Sequence, residues 1–497
     1  MSTQAAPGTA SAMSRALARD RLGIPAVLAF ILAGVAPLTV SAGVIPSAYA
    51  TTGLTGIPAA FLVIAVTLAL FATGYMAMAR NITNAGAFYA FIARGLGRIP
   101  GTAAALVALL AYSFLQVALY GAFGPAAATL AAAHLGIHAR WWVWALAAWA
   151  VITVLGLARV DITGKVLGVL TGAEIIVIIA EAISGLSHPA GGHLSFATLS
   201  PSALTSAGFG TFGVLAVVAV LGFTGFEQAP VLGEEARHPR RTIPVTTYLA
   251  LGLIGIVYAG VAWAMAAHSG TSHVVAAATA QGPGLLFSLG SGALGQAAQW
   301  LFLSSLFAAM LAFHNCCWRY AFALGREGVL PGVLSRTGSN NIPKTASLAQ
   351  SATALAIIVG YALAGVPPMQ DLFFDLGTTG GFGLLLLYAL TSVAVIVFFA
   401  RNRSQETAWA RLIAPALAAI LLSGIAVLAV QHYATLLGVA PGSAPAWALP
   451  AGYAAAAALG LGWGLIIKIR RPEVYATIGL GAHAATRQAS TAPGTRP

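Results

Sequence analysis

The run from Gly222 to Pro230 places two glycines, a proline and the carboxyl group of Glu227 inside an apolar stretch. That stretch, near residues 211–232, is long enough to cross a bilayer. In hydrocarbon every backbone N–H and C=O group needs an internal partner, so a helix can break at this depth only where it lines a cavity or packs on protein. A carboxyl group at this depth is costly and by default marks a ligand or ion pathway. The run therefore predicts a binding site inside a membrane.

Composition excludes a water-soluble globule. Hydrophobic residues make up 59% of the chain and charged residues only 7%, whereas soluble domains carry about 25% charged residues. The formal net charge of +12 does not indicate a nucleic-acid partner, because the basic residues stand in short clusters between apolar segments. The two cysteines, Cys316 and Cys317, are adjacent and lack metal-ligand spacing, so they are interpreted as packing residues. We expect no metal, no cofactor and no enzymatic activity.

Twelve apolar stretches have spanning length, although the fourth is short and rich in tryptophan. They lie near residues 25–49, 56–79, 102–131, 141–158, 165–185, 208–232, 245–267, 297–322, 347–366, 376–400, 412–437 and 446–468. When the loops are assigned to alternate sides, every Lys and Arg except Arg140 falls on one side, which the positive-inside rule makes cytoplasmic. The sequence thus predicts an all-α integral membrane protein with twelve transmembrane helices in the plasma (inner) membrane. Its N- and C-terminal tails, residues 1–23 and 471–497, are expected in the cytoplasm.

The first stretch is interrupted in the same way as the sixth. The segment Gly34–Gly43 again puts glycine and proline at mid-depth. Paired interruptions in corresponding helices are the sequence sign of a transporter built on inverted repeats, and an offset of five spans reverses the orientation of the second copy. The predicted transporter domain covers 24–470, with repeats at 24–186 and 207–400 and two further helices at 411–469.

Breaking a membrane helix exposes two kinds of backbone group. N–H groups at a half-helix N-terminus attract an anion such as a carboxylate, and freed C=O groups accept hydrogen bonds from an ammonium. A zwitterionic amino acid presents both groups. We therefore expect a small-molecule substrate of this kind. The lipid bilayer is expected to surround the protein.

Three motifs resemble the amino acid–polyamine–organocation (APC) superfamily of secondary transporters, and the resemblance covers roughly residues 20–470. They are Arg80–Tyr89 after the second span, Gly222–Glu227 followed by Glu234–Pro244, and Arg319–Pro331 at the end of the eighth span. The resemblance implies the LeuT-type five-plus-five inverted fold, with broken helices one and six, and transport by alternating access.

The resemblance also implies roles for particular positions. The substrate carboxylate would meet the backbone at Ala36, Pro37, Leu38, Thr39, Val40 and Ser41. Its amine would meet the backbone at Phe223, Thr224 and Gly225. Phe226 matches an aromatic gate over the substrate. The candidates for side-chain selectivity are Tyr112, Gln116 and Tyr120 on the third span and His314 on the eighth, although polar contacts between packed helices explain each of them equally well.

The acidic residues in and near the spans have different expected roles. Glu227 has a gating, coupling or substrate-binding role, but it does not by itself indicate a cationic substrate. Glu174 stands where some proton-coupled relatives carry a lysine, and a buried carboxyl group can carry a proton, so it is the expected coupling residue. Glu181, seven residues on, is expected to be solvated. A cytoplasmic gating cluster of ion pairs is expected to join Arg80 or Arg94 with Glu234, Glu235, Arg237, Arg240 and Arg241.

The expected function is uptake of an amino acid or related amine, coupled to protons. The alternatives are a permease for a polyamine or another organocation, and an amino acid exchanger. Ser304 and Ser305 keep a sodium site open as a possibility, and the sequence leaves the substrate and the oligomeric state undetermined.

Overall fold

The computed structural model describes residues 17, 20–158, 160–206, 208–290, 292–337, 342–402 and 404–481. Most of the predicted tails, residues 1–16 and 482–497, lie outside this part of the chain. Within it the regular structure is helical, apart from a single bridge between Leu22 and Ala236. The all-α prediction is confirmed.

Eleven of the described helices are long and apolar enough to span a membrane, and a twelfth is shorter. The twelve are α1 (Ile24–Thr52), α2 (Ile57–Asn81), α3 (Arg98–Leu135), α4 (Trp141–Gly156), α5 (Val160–Ser187), α6 (Gly210–Leu232), α7 (Pro239–Ser269), α8 (Ala293–Arg326), α9 (Lys344–Ala364), α10 (Pro368–Arg401), α11 (Trp409–Gln431) and α12 (Ala444–Arg470). The short member is α4, with 16 residues. Each predicted span therefore corresponds to one helix.

The exterior of the bundle is apolar. Large aliphatic side chains such as Val154 on α4, Ile256 on α7 and Ile420 on α11 are mostly exposed. In water such a surface would be a liability, whereas lipid is its natural solvent. Polar and charged side chains are instead buried inside the bundle or gathered near the helix ends.

The break in α1 is set by Pro37. The first half ends at Val35, and Ala36 adopts a left-handed conformation with φ 53°. The second half then begins at Pro37, because proline has no N–H group to continue a helix and disfavours helical geometry in the residue before it. The predicted interruption in the first span is confirmed.

The break in α6 is set by Gly225 and Pro230. The helix that begins at Phe209 ends at Gly222, and Gly225 has φ 116° before a tighter helical segment, Phe226–Leu232, takes over. A β-carbon built on Gly225 would lie 2.5 Å from the carbonyl carbon of Gly34 and 2.6 Å from the backbone nitrogen of Val35. The two breaks therefore touch each other, and only glycine allows that approach.

Both described ends of the chain lie on one side of the bundle, here called the terminal face. Before α1, the N–H groups of Arg21 and Leu22 donate to the backbone carbonyl of Glu235, which follows α6. After α12, the short helix Pro472–Thr477 and the residues up to Gly481 contact the ends of α2 and α8. The loops at the other ends of the helices form the opposite face.

Candidate functional site

A cavity of about 330 Å³ lies between α1, α3, α6, α8 and α10. Its floor contains Gly34 and Thr224, and its mouth reaches the exposed residues Ala50 and Thr51 at the end of α1. The mouth also includes residues 435–438, which follow α11. The cavity therefore opens on the opposite face and ends at the junction of the two helix breaks.

The α1 break contributes backbone to the cavity. Gly34, Val35, Ala36, Thr39 and Val40 line it. The Ala36 N–H folds back onto the carbonyls of Leu32 and Ala33, at 3.0 and 3.2 Å. The last C=O groups of a helix have no partner within that helix, so the end of the first half presents acceptor groups beside the cavity.

The α6 break contributes side chains at helical spacing. Val218, Leu221 and Thr224 face the cavity three residues apart. The Thr224 hydroxyl is buried, and although the Tyr388 side chain approaches it, it makes no well-formed hydrogen bond in the described part of the chain. A buried polar group without a partner is costly, so this hydroxyl is available to a ligand or a water molecule.

Glu227 lies directly behind the α6 break and is fully buried. Its carboxylate accepts hydrogen bonds from the Tyr112 hydroxyl on α3 (2.9 Å), the Tyr388 hydroxyl on α10 (2.8 Å) and the Gly225 N–H (2.8 Å). The Tyr75 hydroxyl donates to its backbone carbonyl at 3.1 Å. One carboxylate therefore ties α3, α6 and α10 together, and it does not line the cavity.

Glu174 on α5 is buried beside the second half of α1. The Leu38 N–H and the Ser305 hydroxyl face its carboxyl group, but neither carboxyl oxygen has a partner at hydrogen-bonding geometry. Ser305 on α8 instead accepts from the Thr39 N–H at 3.2 Å and the Thr39 hydroxyl at 3.1 Å. Burying an ionised carboxyl group without a cation partner costs free energy, so the protonated, neutral form is favoured here.

Glu181 differs from the sequence expectation. It is buried rather than solvated, and neither of its carboxyl oxygens has a partner in the described residues. The loop before α8 covers it, since a β-carbon on Gly290 would lie 2.6 Å from a Glu181 carboxyl oxygen. This cover could not be predicted, because the loop is distant from Glu181 along the chain.

Two buried ion pairs close the terminal face. The Arg319 side chain donates to Glu235 at 2.6 Å, and Arg326 makes a two-pronged pair with Glu234 at 2.6 and 2.7 Å. Both arginines lie on α8. The predicted partner Arg80 pairs instead with Glu406, at 2.7 Å, on the loop between α10 and α11. Glu234 and Glu235 therefore pair with two arginines of α8 that the sequence prediction had not named, whereas Arg80 pairs elsewhere.

A second closure on the terminal face, centred on Glu327, was not anticipated. Its carboxylate accepts from the N–H groups of Gly479 (2.6 Å) and Gly481 (2.7 Å) and from the Asn84 side chain (2.9 Å). Burial raises the pKa of the Glu327 carboxyl above its ordinary value, while the glycine N–H donors oppose that shift by stabilising the ionised form. Its position inside the Arg319–Pro331 motif was the only available signal.

Three predicted site residues, Gln116, His314 and Phe226, do not line the cavity. Gln116 accepts from Gln350 on α9 at 2.8 Å, and a His314 ring nitrogen lies 2.9 Å from the Ser347 hydroxyl, also on α9. Phe226 packs edge-on against Phe71 and Tyr388. Gln116 and His314 thus make polar contacts between packed helices, which is the alternative given for them from the sequence. The side chains that do line the wall are Leu115, Leu119, Leu221 and Phe313.

A sequence profile of the amino acid permease family matches residues 26–473, which is nearly the whole of the helical bundle. The chain belongs to the amino acid permease family. This places it in the APC superfamily and makes it a multi-pass membrane transporter. A comparison with curated proteins found no match.

For an amino acid permease the site carries no sign of a metal centre. In the described ranges no three residues among His, Cys, Asp and Glu are grouped so that they could hold a metal ion.

Proposed function

We propose that this permease carries an amino acid across the plasma membrane by alternating access, coupled to protons. The observation that carries the proposal is the contact between the two helix breaks, Gly225 against Gly34 and Val35, at the floor of a cavity that opens on one face only. A channel would not need paired broken helices or a closed floor.

The breaks offer partners for both charged groups of an amino acid. The substrate carboxylate would lie at the start of the second half of α1, near Ala36 to Ser41, where the positive end of a helix dipole favours an anion. Its binding would draw the Leu38 and Thr39 N–H groups away from Glu174 and Ser305. The ammonium group would bind backbone carbonyls at Phe223 to Gly225 and at the end of the first half of α1. The Thr224 hydroxyl, which makes no well-formed hydrogen bond among the described residues, adds a side-chain contact.

The closed terminal face supports an alternating-access cycle. If both tails are cytoplasmic, as the distribution of Lys and Arg indicates, the open mouth faces outward. Release to the cytoplasm then requires the Arg319–Glu235 and Arg326–Glu234 pairs to separate. Glu234 and Glu235 are therefore proposed as gating residues. Arg80 would take part in gating through its ion pair with Glu406.

Glu174 is the proposed coupling residue. Its carboxyl group faces Leu38 and Ser305, so it touches the element whose backbone would hold the substrate. Protonation removes a charge from this interface, and deprotonation restores one. A group in this position can therefore link proton release to movement of α1 against α5 and α8.

Uptake by the purified protein in sealed vesicles tests the function. Radiolabelled amino acids and putrescine should be offered under an imposed proton gradient, under a sodium gradient, and with a protonophore. We expect accumulation of at least one amino acid that the protonophore abolishes. Uptake of putrescine alone would favour the organocation alternative, and uptake only with amino acid preloaded inside would favour an exchanger.

A further inference from the structure

The walls of the cavity carry no ionisable side chain. Among the described residues that line it, from the floor to the mouth, the polar members are threonines, Ser47 and Gln370. The remaining lining is aliphatic, aromatic or glycine. We infer, on the basis of the proposed function, that the substrate is an amino acid whose side chain is uncharged and apolar.

Glu227, the buried acid directly behind the α6 break, is not available to a cationic substrate. Both carboxyl oxygens of Glu227 are occupied, one by the Tyr112 hydroxyl and the other by the Tyr388 hydroxyl and the Gly225 N–H. Reaching a guanidinium or a second ammonium would require breaking these bonds in a buried site. A charge moved into apolar surroundings without a partner is strongly disfavoured. Glu227 is therefore no partner for a basic amino acid or a polyamine, and no carboxyl group belongs to the described lining.

An acidic side chain on the substrate would also lack a partner of opposite charge. The buried arginines closest to the floor lie on the terminal side and are paired with carboxylates, Arg319 with Glu235 and Arg326 with Glu234. No Arg, Lys or His belongs to the described lining. A substrate carboxylate beyond the α-carboxylate would remain unpaired.

The walls fit an apolar side chain in shape as well as in polarity. Leu115 and Leu119 of α3, Val218 and Leu221 of α6 and Phe313 of α8 all belong to the lining. The cavity volume of about 330 Å³ is at the low end for ligand pockets, which begin at about 300 Å³. The space suits one small molecule, with its backbone groups at the breaks and its side chain against this wall.

Binding to the purified full-length protein tests the inference without requiring transport. L-leucine, L-phenylalanine, L-arginine, L-glutamate and putrescine are titrated by calorimetry. We expect leucine and phenylalanine to bind, and the three charged probes to bind roughly 100-fold more weakly or not at all, since an unpaired ionised group cannot be accommodated in an apolar wall. Arginine or glutamate binding as tightly as leucine would overturn the inference while leaving the proposed function intact. Failure of every amino acid to bind, or binding of putrescine alone, would overturn both.

A wall variant checks that the side chain lies where we infer. Leu119→Trp narrows the cavity and should weaken phenylalanine binding by about tenfold or more while changing alanine binding little, because single contacts in an apolar pocket are worth roughly 10–200-fold. Leu417→Trp, on the exposed side of α11, is the matched control and should change neither. Equal effects of Leu119→Trp on phenylalanine and alanine would contradict the assignment of this wall.

Discussion

At the scale of single residues, Gly225 is the position with the least freedom to vary. Its φ of 116° is rarely adopted by a residue with a side chain, and a β-carbon would meet the backbone of Gly34 and Val35 at 2.5–2.7 Å. Those neighbours are backbone atoms of the opposing break, which cannot move without separating α1 from α6. The contact of the two breaks therefore depends on this one glycine.

Replacing Gly225 with valine should abolish substrate binding while the protein still reaches the membrane. We expect a loss of at least about 100-fold in affinity, since misplacement of binding groups by about 1 Å can cost that much. The measurement is leucine binding to purified protein. Gly252→Val is the control, because a β-carbon there meets nothing within 4 Å. Normal leucine binding by Gly225→Val would sink the assignment of the substrate site to the breaks.

The proposed role of Glu174 is tested by removing only its ability to ionise. Glu174→Gln should still exchange labelled substrate across the membrane but should no longer accumulate it when a proton gradient is imposed. Glu174→Asp, which retains a carboxyl group, should keep part of the accumulation. If the glutamine variant accumulates substrate with unchanged pH dependence, the coupling assignment is wrong.

The sequence located backbone features at this scale better than side-chain contacts. Pro37 and Gly225 could be read directly, because they stand in matching glycine- and proline-containing runs five spans apart. The inward faces of α3 and α8 could not, since both helices are apolar around most of their circumference. Attention to polar residues selected Gln116 and His314, which bond to α9, and passed over Leu115 and Leu119, which line the cavity.

At the scale of elements, the segment after α12 acts on the end of α8. Gly479 and Gly481 donate to Glu327, the Thr477 hydroxyl donates to the Glu327 backbone carbonyl at 3.0 Å, and Arg98 contacts the Ala476 carbonyl at 3.2 Å. The segment therefore bridges α3 and α8 on the terminal face. Its pairing could not be predicted, because an Ala/Thr/Gly-rich end gives no periodic signal.

Deleting residues 472–497 should weaken the closed terminal face. Each hydrogen bond to a charged group contributes roughly 1.5–3 kcal/mol, and the deletion removes two from the Glu327 carboxylate. We expect a lower melting temperature of the purified protein and a larger fraction open on the terminal face. Deleting only residues 482–497 keeps Gly479 and Gly481 and serves as the control. Identical melting temperatures for the two deletions would show that the segment does not stabilise this face.

At the scale of the whole molecule, the two faces are unequal. One side has an open cavity, and the other has two buried ion pairs and the Glu327 contacts. Between them lies a layer that includes Phe30, Gln228 and Cys316, with little space inside it. Both cysteines of the chain are buried on α8 close to this layer, so they can report when it opens.

Breaking the gate should make Cys316 reactive. In the closed arrangement Cys316 is 3% exposed, and the Arg319–Glu235 pair lies beside it. In Glu235→Gln, where the ion pair is lost, we expect maleimide labelling to become several-fold faster, since removing one partner of a buried pair costs about 3–5 kcal/mol. Cys316→Ser in the same background assigns the signal. Unchanged labelling would mean that the pair does not hold this path closed.

The apolar stretches predicted the order and number of helices, and the distribution of basic residues supported that count, because each misplaced span would have scrambled the alternation. Neither pattern could predict which residues pair across the terminal face. Glu234 and Glu235 follow α6, and which arginines they meet depends on how α8 docks against it. Arg319 and Arg326 belong to a motif that the sequence had already singled out, yet nothing in their spacing identified them as the partners.

The position of Glu227 behind the break, rather than in the cavity, separates two tasks that could have shared one side chain. Glu227 and its tyrosine partners hold three helices in register, while a different set of side chains forms the wall. The wall can therefore change without disturbing that attachment. Relatives with the same scaffold could diverge in what they carry through a few substitutions at Leu115, Leu119 and Leu221, and a designer could alter substrate choice at those positions by the same route.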